Sequence, residues 1–166
     1  INNVTGPIPT PEAIRIIKDI LLAIGYAHNK KIALTGYEGV LHLDIKPGNI
    51  LISKNGKVKI IDYGISQGNN QKRAKKVMGS PMYMAPEIAK GEPDLDGRAD
   101  VFSLGIILFE MMTLKFFVEG EDPYEIKKKI LDQPLPLPRE IAPHRNIPQD
   151  LQAICMKALK RNKYND

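Results

Sequence analysis

HLDIKPGNI, residues 42 to 50, places a His, an Asp, a Lys, a Pro and an Asn among apolar neighbours within one short stretch. Its meaning depends on what holds it on either side. Upstream, Thr10 can cap a helix with Pro11 at its first position, and Ile14, Ile17, Leu21 and Ile24 recur at helical spacing. This predicts a long, largely buried helix ending near His28. The intervening NKKIALTGYEGV carries two glycines and reads as a loop with a short strand. Downstream, ILISKNGKVKII sets two β-rich runs around Asn55 and Gly56, the pair best suited to the positive φ angles of a tight hairpin turn. The stretch therefore lies on a loop braced by scaffold on both sides, where catalytic groups tend to sit.

Further along, residues 62 to 84 are polar, basic and aperiodic, and read as a long loop of the kind usually reserved for function. An apolar helix is predicted from Arg98 to Thr113, and a second from Asp122 as cap and Pro123 as first position through Leu131. The prolines of DQPLPLPREIAPHRNIP predict an extended surface segment. A last helix runs from Pro148 or Gln149 to about Lys160.

A chain of 166 residues, 43% apolar, can bury one core, so one domain or part of one is expected. The formal charge of +5 is spread along the chain except for QKRAKK at 71 to 76, which reads as a solvated loop and not a nucleic-acid site. The single Cys155 excludes an internal disulfide and suggests a reducing, cytoplasmic setting. VFSLGIILFEMM, with Ser103 and Glu110 inside it, is too short to cross a bilayer. The start, INNVTGPIPTPEAIR, has neither the basic nor the apolar run of a signal peptide and no initial Met, which suggests a processed or truncated chain.

The chemistry follows from the hairpin. Its second strand runs into DYG at 62 to 64 and brings Asp62 close to Asn49 across the hairpin base. Two oxygen-bearing side chains there can hold a hard divalent cation such as Mg²⁺, which takes few protein ligands. Asp44 is then free to act as a base, with Lys46 two residues on and on the same side if the loop is extended.

HLDIKPGN, DYG and MYMAPE together resemble the catalytic loop, metal-binding motif and activation-segment end of a protein kinase, in that family's order. At about 5% usage per residue type, five fixed positions of the first motif match by chance about once in a few million windows. The resemblance covers essentially the whole chain and implies the large C-terminal lobe of a Hanks-type serine/threonine kinase. The fold it implies is mainly α with a small β-hairpin, one partial domain over residues 1–166 that ends before its last helix. It implies Asp44 as catalytic base, Lys46 as the cation on the transferring phosphoryl group, Asn49 and Asp62 as Mg²⁺ ligands, and Leu51 under the adenine of ATP. Lys46-Pro47 resembles the serine/threonine branch. Ser80 falls where that branch places a hydroxyl touching base and lysine, with Tyr83 and Glu87 in the same activation-segment end. His42, Tyr63, Gly64 and Asp100 are similar to structural supports, Asp100 as the buried aspartate that holds the catalytic loop by its backbone. His42 reads as a packed histidine and not a catalytic one.

The departures from the family pattern also carry information. Leu43 replaces the Arg of the HRD triplet, which normally pairs with a phosphorylated activation loop, so that control is expected to be missing. Tyr63 replaces the Phe of DFG. The stretch between His28 and His42 is longer than the family's, with ALTGYEG as the apparent insert. The 166 residues contain no glycine-rich loop and no VAIK-type lysine, which belong to an N-lobe that would precede Ile1. The lobe alone is expected to bind nucleotide weakly and transfer phosphate poorly or not at all. Two readings follow: a kinase fragment acting on Ser/Thr hydroxyls of proteins once completed by an N-lobe, or an inactive truncated kinase serving as a protein-binding module. The complete set Asp44, Lys46, Asn49 and Asp62 favours the first.

Overall fold

The computed structural model describes residues 8–32, 37–63, 67–68 and 80–161. Helix α1, Thr10–Asn29, buries Ala13, Ile16, Ile17, Ile20 and Ile24. That stripe advances by three and four residues, as an amphipathic helix requires. It differs from the predicted one, because Ile14 and Leu21 are 45% and 44% exposed. Periodicity alone admits both stripes, and the neighbouring helices select the one containing Ile16 and Ile20. Thr10 is also not the cap: Pro9 occupies that position in an extended conformation, and Ala13 N–H donates to its carbonyl at 3.0 Å.

Beyond α1 the chain forms β1, Lys31–Ile32, and β2, Tyr37–Glu38, an antiparallel pair with Lys31 opposite Glu38. The predicted loop with a short strand is thus a small hairpin. Just past β2, Gly39 has φ +85°, and a Cβ there would overlap the carbonyl oxygen of His28. Strand β3, Val40–Leu41, pairs with the later β6, Gln67–Gly68. After a 3-10 turn at Pro47–Asn49, β4, Ile50–Ile52, and β5, Val58–Ile60, form the expected hairpin, with Ile50 opposite Ile60. Only Gly56 takes a positive φ there, and its N–H donates to Ser53 O at 2.9 Å, so the connection is longer than a two-residue turn.

The α-helical half follows. A 3-10 turn at Pro81–Tyr83 leads into α2, Pro86–Lys90, which no sequence signal had predicted and which Gly91 ends at φ +73°. Helix α3, Arg98–Thr113, matches its predicted bounds and is buried on nearly all sides, as its mostly apolar sequence requires. It is the axis of the core, with α1 against one side. Helix α4, Pro123–Asp132, is capped by Asp122, whose carboxylate accepts from the N–H groups of Tyr124 and Glu125. Its last carbonyls are met by Arg161, which donates to Ile130 O and Gln133 O.

The Pro-rich segment is less extended than predicted: Pro138 and Pro143 each begin a short helical piece, α5 at Pro138–Ile141 and a 3-10 turn at Pro143–Arg145. A proline at a first helical position loses no hydrogen bond, so it starts a turn as readily as it stops one. Helix α6, Gln149–Ala158, closes the core against α3, where a Cβ on Gly105 would stand 3.0 Å from that of Ala158. Cys155 is buried there, and burial pushes its thiol up to about 12. No helix among the described residues is long and apolar enough to cross a membrane.

Candidate active site

The loop from His42 to Asn49 is suspended from α3 by one carboxylate. Asp100, in the first turn of that helix, is fully buried. Its Oδ1 accepts the Leu43 N–H at 2.7 Å; its Oδ2 accepts the His42 N–H at 2.8 Å and lies 2.7 Å from His28 Nε2. A negative group in the first turn also suits the helix dipole. Between these anchors Leu43 adopts φ +64°, a left-handed conformation that costs an L-residue roughly 1–2 kcal/mol. It persists because its N–H is tied to Asp100 and its side chain is buried in the core. His42 is packed and bonded, as expected: Nδ1 accepts the Asp44 N–H at 3.3 Å, so Nε2 carries the proton and donates to Ile61 O at 3.1 Å.

Asp44 follows directly, with its two oxygens in different circumstances. Oδ2 accepts from Lys46 Nζ at 2.8 Å and from Asn49 Nδ2 at 3.2 Å. Oδ1 accepts from the Ser80 N–H at 2.9 Å. Burial works to raise the Asp44 pKa, but the bonds from Lys46 and from the Ser80 backbone and hydroxyl, with the lysine charge, outweigh it and hold the carboxyl below its ordinary value. Lys46 Nζ also donates to Ser80 Oγ at 2.8 Å, so the lysine links the loop to the far end of the activation segment. The expected contact of Ser80 is therefore present and includes its backbone as well as its hydroxyl.

Asn49 is buried, and its Nδ2 is pinned to the Asp44 carbonyl at 2.8 Å. This turns its Oδ1 away as the remaining acceptor. The Ile61 N–H donates to Asn49 O at 3.0 Å, which sets Asp62 beside Asn49 at the hairpin base. Asp62 itself is exposed and has φ +65°. Among the described residues no three His, Cys, Asp or Glu side chains gather into a metal cage. A carboxylate with one amide oxygen is the sparse, hard donor set that suits Mg²⁺, so these residues fit the ion. Tyr63 lies 4.5 Å, ring to ring, from His42, and burial followed by the Asp100 charge pushes its phenol up. Leu51, Ile52, Ile61 and Tyr63 are all exposed, an unusual number of large apolar groups for one short hairpin and its continuation. Gly64 lies outside the described residues, as do Ser66 and the basic run at 71 to 76.

The segment after Ser80 is fixed to α3 by two bonds the sequence did not announce. Ser103 Oγ donates to Tyr83 O at 2.6 Å, and the Tyr83 hydroxyl donates to Glu110 Oε2 at 3.0 Å. Burial raises the carboxyl of Glu110 more than the tyrosine bond lowers it, and burial with the neighbouring negative charge pushes the Tyr83 phenol up. Glu87 is buried in the first turn of α2. A hollow of about 580 Å³ lies elsewhere, lined by Leu137, Arg139, Pro143, Ile147 and Gln152 among others, and shares no residue with this site.

The family model described as the protein kinase domain matches residues 2–165. This chain belongs to that family. The kinase domain is 36% identical over 166 residues to the serine/threonine-protein kinase PknB of Mycolicibacterium smegmatis, and 33% identical over 166 residues to the PknB of Mycobacterium tuberculosis. Each alignment covers 96% of this chain and 25% of the relative. It is also 34% identical over 155 residues to the tyrosine-protein kinase MasK of Myxococcus xanthus, covering 92% of this chain and 24% of that one. The kinase domain therefore spans about a quarter of the length of the curated relatives it matches. The mainly helical fold with its small antiparallel hairpins is that of a kinase C-lobe. Of the residues the sequence pointed to, Asp44, Lys46, Asn49 and Ser80 meet in one bonded cluster, and Asp62 adjoins it. His28 was missed: at the end of a helix it carried no motif, and its partner is 72 positions away.

Proposed function

We propose that residues 1–166 are the C-lobe part of a serine/threonine protein kinase, one that transfers the γ-phosphate of ATP to Ser or Thr hydroxyls of protein substrates once an N-lobe completes it. The observation that carries this is how Asp44 is held. Oδ2 is held by Lys46 and Asn49 of its own loop, while Oδ1 is held by the Ser80 N–H of the activation-segment end, so the carboxylate is fixed from two sides to receive a substrate hydroxyl. Held below the ordinary carboxylate range, Asp44 is ionised at neutral pH and orients the hydroxyl more than it drives proton removal. The hydroxyl oxygen forms its bond to the γ-phosphorus as the bond to the bridging oxygen breaks. The electron pair leaves with ADP, and the hydroxyl proton passes to Asp44.

Lys46 uses two of its N–H groups on Asp44 and Ser80 and keeps the third for an oxygen of the transferring group. Asn49 and Asp62 would hold Mg²⁺, which neutralises charge on the phosphate oxygens. Leu51 offers an apolar platform for the adenine, and the exposed apolar surface of the β4–β5 hairpin suits an interface with the N-lobe. Lys46-Pro47 and the Lys46–Ser80 bond support the serine/threonine assignment over a tyrosine one. Leu43, turned into the core, cannot reach a phosphate on the activation segment, so control through that contact is missing. ATP as donor fits a cytoplasmic protein or the cytoplasmic portion of a larger one, with protein rather than nucleic acid as acceptor.

The test is phosphate transfer from labelled Mg·ATP by the full-length protein, with and without Asp44→Asn. Transfer should fall at least about a hundredfold in the variant. Equal labelling by both would remove Asp44 from the role, and the reading as an inactive binding module would take its place.

A further inference from the structure

The hollow beside α5 and α6 holds about 580 Å³, within the range of small-molecule sites, and no residue of the catalytic cluster lines it. Its walls are tied to each other. Gln152 of α6 accepts the Arg139 N–H on its Oε1 at 3.0 Å, which fixes the first turn of α5 to α6. A backbone N–H needs an acceptor, so the NH₂ of Gln152 is left over, and it has no partner among the described residues. The apolar floor comes from Leu137, Ala142 and Ile147, the last two buried.

The polar lining consists mostly of donors. Arg145 ends a right-handed 3-10 turn, and Asn146 follows in the left-handed region at φ +48° and ψ +44°. That succession turns neighbouring N–H groups to one side and makes a concavity for an anion. The Arg145 N–H is taken by Ala142 O at 3.1 Å, whereas the N–H groups of Asn146 and Ile147 meet no backbone acceptor among the described residues. Arg139 and Glu140 line the same hollow, and neither side chain has an ion-pair or hydrogen-bond partner among the described residues. Either charge alone would be an ordinary solvated one. Opposite charges that share one concave lining without pairing, beside unused amide donors, suit a ligand that brings both an anion and a cation.

We propose that the hollow binds a small zwitterion of about dipeptide size. Arg139, the Asn146 and Ile147 amides and the Gln152 NH₂ take its carboxylate, Glu140 takes its ammonium group, and the apolar floor takes its side chains. A phosphate ester would suit the donors but would face Glu140, and a wholly apolar ligand would desolvate both charges without pairing either. Binding there is independent of phosphate transfer, so the test needs no kinase activity.

The probes are leucyl-leucine, its N-acetyl form, which lacks the ammonium group, and its C-terminal amide, which lacks the carboxylate. Titrated into the full-length protein in a calorimeter, leucyl-leucine should bind with a Kd below about 1 mM, and each blocked form about tenfold more weakly. Arg139→Gln should weaken leucyl-leucine about tenfold and leave the amide form within about twofold of its wild-type affinity. Glu140→Gln should weaken leucyl-leucine about tenfold and spare the N-acetyl form. Both residues are exposed, so neither variant disturbs the fold. In protein carrying isotope-labelled isoleucine, the Ile147 amide signal should move on binding. Absence of binding at about 10 mM overturns the proposal, as does equal affinity for the three peptides. So does a variant that weakens all three alike, or an Ile147 amide that stays in place while binding is measured.

Discussion

Asp100→Asn changes one atom of the anchor, and the structure says what that change costs. Three donors converge on the wild-type carboxylate: the N–H groups of His42 and Leu43, and His28. An asparagine offers one oxygen and an NH₂ group. If its oxygen faces Leu43, the NH₂ points at the His42 N–H; His28 can present an acceptor nitrogen by changing tautomer, but a backbone amide cannot. In the opposite orientation the NH₂ meets the Leu43 N–H instead. Either way at least one buried N–H is orphaned, at about 1–3 kcal/mol. The surviving bonds also lose their charge assistance, roughly 1 kcal/mol each. The total is about 4 kcal/mol, a large part of the 5–15 kcal/mol that holds a typical domain together. For a domain of this size that corresponds to a fall in Tm of about 10 °C. Thermal melting by circular dichroism measures it, and a variant that melts within about 2 °C of wild type would refute the claim that Asp100 is the central anchor.

Two further predictions follow from the buried groups. The Glu110 carboxyl sits above its ordinary value, so its contribution to stability is full at low pH and is lost as pH rises through the folded-state pKa. Glu110→Gln keeps an acceptor for the Tyr83 hydroxyl and carries no charge. The Tm of E110Q should therefore gain on wild type between pH 4 and pH 7, and a constant difference across that range would contradict the assignment. Cys155, with its thiol near 12, should react with a thiol reagent at pH 8 about a thousandfold more slowly in the native protein than in denaturant. Comparable rates would show that α6 opens readily from α3.

Where local chemistry decides an element, the sequence was enough. Arg98–Thr113 is mostly apolar and falls where expected, and Asp122-Pro123 starts α4 because an acceptor and a preset φ act within one turn. The order of motifs is enough to group Asp44, Lys46, Asn49 and Ser80. Features set by distant neighbours were not legible. Which stripe of α1 is buried depends on what packs against it, and both candidates have helical period. The prolines at 138 and 143 break or begin a helix according to their position, and spacing does not say which. The Tyr83–Glu110 bond joins positions 27 apart, and nothing in either local pattern marks the pair.

Leu43 shows how closely balanced the catalytic loop is. Its left-handed backbone costs roughly 1–2 kcal/mol. Burying its side chain returns about 1.5–3 kcal/mol. These nearly cancel, so neither the conformation nor the packing alone commits the loop to the geometry seen. The Asp100 bonds decide it, and they act on the N–H, which every residue except proline possesses. An arginine here would keep that bond but lose the burial, since a guanidinium needs a counter-charge that an apolar pocket does not supply. It would then depend on an external anion to hold the same backbone. The leucine removes that dependence by making the loop part of the core.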